Sequence, residues 1–177
     1  MARHLVVLVL VGILAGFNWA VVEKERILNE GKVLYLELAP VDPRSLMQGD
    51  YMALRFAIEN DIRQALAQTD EMPQAADGSL IVRLDDRQVA SFHRLQDFVP
   101  DVVGDSAVTT RADEVQLQYR IRRGQVEFAT DAFFFQEGQD TPYEAARYGQ
   151  FRLGEDGTLI LTGLHGTELE HLQPPQP

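Results

Sequence analysis

The chain has no cysteine. Disulfide staples, thiol catalysis and cysteine-ligated zinc or iron–sulfur centres are therefore excluded outright. Lysine is nearly absent too, with Lys24 and Lys32 the only two in 177 residues. A Ser-Lys hydrolase needs a lysine base from a later strand. Ser45, just ahead of Gly49-Asp50, has no such partner, because no lysine follows position 32. The four histidines form neither H-x-H nor H-E-x-x-H, so nothing points to a metal site, and no cofactor is expected. Positive charge is scarce overall, 16 Lys plus Arg against 27 Asp plus Glu, for a net charge of −11. An acidic surface of this kind repels phosphate backbones, which removes nucleic acid as a partner. A Ser-His-Asp triad or a pair of catalytic carboxylates leaves no obligatory local signature, and no residue pattern indicates either.

What the chain does have is an apolar start. Leu5 to Val22 carry no charge, and eighteen helical residues rise about 27 Å, close to the roughly 30 Å hydrocarbon core of a bilayer. Trp19 lies near the far end, where an interfacial ring is favoured. Three readings compete: an uncleaved membrane span, a cleaved signal peptide, and a buried core helix. The run is long for a signal and lacks an A-x-A site, so the span is preferred. Arg3 on one side and Lys24, Arg26 and Lys32 on the other leave the orientation undecided by charge.

The expected organisation is an amino-terminal tail (1–4), a transmembrane signal-anchor helix (5–22), a linker (23–30), a β-rich domain (31–167) and a disordered tail (168–177). Within the domain, alternation marks strands at 32–38 and 50–57, and helical spacing of Ile58, Ile62, Ala65 and Leu66 marks a helix over 58–68. Residues 69–78 and 96–110 read as loops. Turn residues place three hairpins, 79–84 with 88–95, 115–121 with 126–133, and 149–153 with 158–164. Phe133 to Phe135 are expected to extend the second hairpin's sheet, and a helical turn is expected at 141–147. The fold class is mainly β (α+β): an antiparallel domain with two short helices, preceded by one transmembrane helix.

One segment stands out, Gly49-Asp50-Tyr51-Met52-Ala53-Leu54-Arg55-Phe56. Gly49 suits a turn, Asp50 can brace it, and the strand that follows turns Met52, Leu54 and Phe56 to one side and Tyr51, Ala53 and Arg55 to the other. A second block combines FFFQEG (133–138), YEAARYGQFRL (143–153) and LTGL (161–164). There Arg147 can pair with Glu137 and lock a turn to the sheet. With Asp42-Pro43-Arg44, these blocks resemble the GDYXXLXY family over roughly residues 25–165. Gly49, Asp50, Tyr51 and Leu54 match the motif, and Phe56 stands where it has its last tyrosine. The resemblance implies a bacterial protein with one amino-terminal membrane segment, a domain in the periplasm, and a polytopic membrane protein for company. It assigns no reaction.

Two functions remain open. The first is a membrane-anchored accessory protein that binds an integral membrane partner. The second is an envelope ligand-binding domain or hydrolase built on Asp50, Tyr51, Glu137 and Arg147. Candidate binding residues are Arg44, Asp50, Tyr51, Glu137, Tyr143, Arg147 and Tyr148; no residue is named as catalytic.

Overall fold

The computed structural model describes residues 2–39, 47–48, 51–67, 73–96, 111, 113–136, 138–139 and 141–173. Helix α1 runs without a break from Ala2 to Glu30. Its apolar window has none of its residues buried against the rest of the chain, which excludes the core-helix reading. By length and composition α1 can cross a membrane.

Among the described residues, ten strands and one further α-helix follow. Strands β1 (Lys32–Glu37), β9 (Tyr148–Leu153) and β10 (Leu159–His165) form one antiparallel sheet in the order β1-β9-β10. Strands β4 (Ala75–Leu84), β5 (Ala90–Gln96), β6 (Glu114–Arg122) and β7 (Gln125–Glu127) form a second, in the order β5-β4-β6-β7. A third is small, with β2 (Met47–Gln48), β3 (Tyr51–Ala53) and β8 (Ala132–Phe134) in that order. Helix α2 (Ile58–Ala67) buries Ile58, Glu59 and Ile62. The mainly β, antiparallel class expected from the sequence is the class observed.

Local chemistry explains the three hairpins. Between β4 and β5, the Asp85 carboxylate accepts from the Arg87 and Val89 backbone N–H groups, both at 2.8 Å. Between β6 and β7, Arg123 and Gly124 both have positive φ (54° and 70°), the pair a tight twisted hairpin requires. Between β9 and β10, the Asp156 carboxylate accepts from the Thr158 N–H at 2.9 Å and from its hydroxyl at 2.6 Å.

Helix, sheets and motif strand share one core. Leu34 and Leu36 of β1, Leu54, Phe56, Ile62, Leu80, Leu117, Ile121, Phe151 and Leu164 are each at most 2% exposed. Period-2 alternation supplies most of these side chains, since it sends every second residue of a strand inward.

Four expectations need correction. Phe133 and Phe134 do not extend the second hairpin's sheet; β8 leaves it and pairs with β3. The chain is redirected by Ala129, whose φ is +52°, and Asp131 then offers its carbonyl to the Leu54 N–H at 2.7 Å. Strand β4 begins at Ala75, inside the stretch read as a loop, because β6 offers a ladder from Tyr119 to Arg122 that outweighs the polar composition. The motif strand is shorter than 50–57: β3 ends at Ala53, and Phe56 makes an isolated bridge to Leu38. Residues 168–173, expected in the tail, turn back along β10. His171 bridges His165, and the Leu172 N–H donates to the Leu164 carbonyl at 2.9 Å.

Candidate functional site

The two motif blocks are hydrogen-bonded neighbours. Strand β3 of the first pairs with β8 of the second, with Tyr51 opposite Phe134, Met52 opposite Phe133 and Ala53 opposite Ala132. Alternation then sorts the three phenylalanines. Phe133 and Phe135 turn inward onto the buried ring of Tyr143, at centroid distances of 5.0 and 5.5 Å. Phe134 turns outward and is 74% exposed, with the Tyr51 ring 5.9 Å away. Among the described residues beyond α1, Tyr51 and Phe134 are the only large apolar side chains that are exposed.

The other half of the motif is structural. Met52, Leu54 and Phe56 are buried while Tyr51 and Arg55 are exposed, as alternation dictates. Phe56 packs edge-on against Phe151 at 5.5 Å. Its backbone N–H donates to Glu59 Oε1 at 3.1 Å, the reciprocal arm of a capping box at the start of α2. Burial pushes the Glu59 carboxyl above its ordinary pKa, against the opposing pull of that hydrogen bond, Arg55 and Arg63.

The remaining candidates disperse. Arg44, Gly49, Asp50 and Glu137 lie outside the described residues, as does the expected Arg147–Glu137 pair. Tyr143 is a core ring. Arg147 is exposed, and its backbone ties β10 to β1, donating to the His165 carbonyl and accepting from the Leu38 N–H, both at 2.8 Å. Tyr148 is half-buried in β9, between Glu37 and His165. Among the described residues, cavities of about 500 and 340 Å³ are each lined by a separate set of residues. The larger is walled by Arg55, Phe56, Glu59, Asn60, Arg63 and Gln125. Neither includes Tyr51, Tyr143, Arg147 or Tyr148.

Sequence reading missed two polar clusters. In the first, buried Glu114 of β6 faces Arg83 (3.3 Å), His93 (3.6 Å) and Arg94 (3.7 Å) on β4 and β5. Ser91 is not activated by His93, since its hydroxyl donates to the Arg83 carbonyl at 3.1 Å. This cluster braces three strands. Among the described residues no group of three or more histidines and carboxylates can hold a metal ion. The second cluster is the stacked pair His165 and His171, with centroids 4.9 Å apart. His165 Nδ1 lies 2.8 Å from the Leu169 carbonyl and Nε2 3.2 Å from Gln150 Oε1. No sequence signal marked this pair, because a six-residue spacing fits no ligand motif.

Burial, and then the neighbouring His165, hold the His171 pKa below its ordinary value. The unclasped segment therefore binds a proton more readily than the clasped one, and the clasp weakens as pH falls through about 6.5. Hydrogen exchange at the Leu172 N–H, corrected for its intrinsic rate, is expected to accelerate between pH 7.5 and 5. His171→Phe should flatten that dependence; an unchanged profile in the variant would refute the assignment.

The fold and surface define a small antiparallel β domain carried on a single apolar helix, with one exposed aromatic pair made jointly by two sequence blocks. The chain belongs to the GDYXXLXY family: the family model, described as GDYXXLXY protein, matches residues 13–164. No curated protein and no solved structure matches the chain.

Proposed function

We propose that this is a membrane-anchored accessory protein whose domain lies on the periplasmic side of a bacterial inner membrane. There it docks an integral membrane protein through the Tyr51–Phe134 face. The carrying observation is that pair. A large apolar side chain left 74% in water on an otherwise well-buried domain is a feature of binding surfaces, and aromatic anchors contribute the most to protein interfaces. The small β2-β3-β8 sheet presents both rings from adjacent strands. Anchoring is supported by the length and hydropathy of α1 and by an apolar window with none of its residues buried. The periplasmic side is supported only by what the family resemblance implies.

A photoreactive residue at position 134 is the direct test. In intact membranes it is expected to crosslink to one integral membrane protein, while the same group at exposed Gln116 does not. Tyr51→Ser with Phe134→Ser should reduce co-purification in mild detergent at least tenfold, about 1.4 kcal/mol, without altering the melting temperature. A partner that stays bound to this double variant, or crosslinking equal at 134 and 116, sinks the reading.

A further inference from the structure

Helix α1 enters the domain at a fixed height. Ile27 is 5% exposed and sits in the cradle left by Gly154, where an added Cβ would lie 2.9 Å from the Ile27 Cδ1. Arg26 pairs with Glu155 at 2.8 Å, the Gly31 N–H donates to the Ile27 carbonyl at 2.9 Å, and Arg152 donates to the Gly31 carbonyl at 2.9 Å. The backbone of Lys24, one turn of helix ahead of these contacts, is thereby carried by the sheet. Lys24 stands two residues, about 3 Å, beyond the last apolar residue Val22, whereas each headgroup layer of a bilayer is roughly 5–7 Å thick.

Lys24 is also one wall of the 340 Å³ cavity. The other charged groups lining it are Arg120 of β6, Glu127 of β7 and Asp131 ahead of β8. None of these four comes within salt-bridge distance of another described residue, although Arg120 and Glu127 are cross-strand partners and Lys24 is near enough to Asp156 to help hold that carboxyl below its ordinary pKa. By contrast, the polar side chains around them are committed. Gln118 donates to the Asp156 carbonyl at 2.6 Å, Thr158 to the Asp156 carboxylate, and Thr130 to the Ala132 carbonyl at 3.0 Å.

We propose that this cavity receives the headgroup of an aminophospholipid, with Lys24 and Arg120 on the phosphate and Glu127 and Asp131 on the primary ammonium. The inference rests on the membrane anchoring proposed above. Its charge pattern selects the ligand. A simple anion meets two carboxylates and a simple cation meets two cationic side chains, so a group bearing both signs a few ångströms apart fits best. A primary ammonium offers three N–H donors to the carboxylates. A choline headgroup offers none, and a glycerol headgroup lacks the positive charge. The volume lies within the range of small-molecule sites, and one of its walls, Lys24, follows the apolar run by two residues, at the depth of the headgroup layer.

The test uses the full chain in bilayer discs of equal phosphatidylethanolamine, phosphatidylcholine and phosphatidylglycerol, with retained lipids counted by native mass spectrometry. One phosphatidylethanolamine per chain is expected, favoured at least fivefold over each of the others. Arg120→Gln and Asp131→Asn should each erase that preference, while Arg123→Gln, in the β6–β7 turn, keeps it. Unchanged melting temperatures separate loss of the site from loss of the fold. Equal retention of all three lipids, or a preference that survives both Arg120→Gln and Asp131→Asn, overturns the assignment. So does free phosphoethanolamine binding as tightly as the lipid, which would make the ligand a soluble one. A chain that never enters the discs refutes the anchoring as well, and incorporation is read separately.

Discussion

Phe56→Ala is expected to destabilise the domain by about 3–5 kcal/mol, the range for emptying a buried aromatic site. Phe56 is 1% exposed and packs against Phe151 and Phe128, at 5.5 and 6.4 Å between centroids. It also closes two backbone connections, the bridge to Leu38 and the hydrogen bond to Glu59. Truncation leaves a void where strand, helix and the β1-β9-β10 sheet converge, and rigid neighbours cannot fill it. Since domains hold about 5–15 kcal/mol in total, much of the stability goes with one ring. Tyr51→Ala, five residues earlier in the same motif, should stay within about 0.5 kcal/mol, as exposed substitutions do. Urea unfolding of the full chain in mild detergent measures both. A Phe56→Ala loss below about 1 kcal/mol, or a Tyr51→Ala loss equal to it, would contradict the inward–outward division of the motif.

That division was legible in the sequence because it depends only on strand periodicity. The hairpins were legible for a similar reason: Asp85, Arg123-Gly124 and the Gly154–Gly157 turn carry their own local chemistry. What failed was non-local. Nothing about alanine announces that Ala129 takes a positive φ, yet that single residue moves β8 from one sheet to another. Ala75 to Gly78 have a loop composition and become strand only because Tyr119 to Arg122 are there to pair with them. The outward turn of Phe134 has a signal in the sequence. Three consecutive phenylalanines look like core, but a strand with period 2 must turn the middle one away from its neighbours. The last motif position is explained by packing alone, because the ring of Phe56 meets other rings. The polar cavity beside Lys24 had no sequence signature, since its walls come from α1, β6, β7, the turn before β8 and the start of β10.

Ile27→Asp carries the other large effect, and it falls on the junction between helix and domain. A carboxylate in place of a side chain that is 5% exposed loses the apolar contact with Gly154, and the nearby cations Arg26 and Arg152 are already engaged by Glu155 and the Gly31 carbonyl. Burying it unpaired costs several kcal/mol, so the end of α1 swings free while the core around Phe56 stays folded. Arg26, whose side chain is already half exposed beside Glu155, then lies in a backbone free to unwind into the trypsin site. When opening is fast, cleavage follows the population of the open form. The rate at Arg26 should therefore rise at least tenfold, with little change at sites within the sheets. Gly154→Val attacks the same contact from the opposite side and should act in the same direction. Both variants should also lose the aminophospholipid preference, because Lys24 no longer keeps its place relative to Arg120 and Asp131. Arg26 cleavage unchanged in Ile27→Asp would show that the domain is not held by this contact, and the fixed height of the cavity above the bilayer would fall with it.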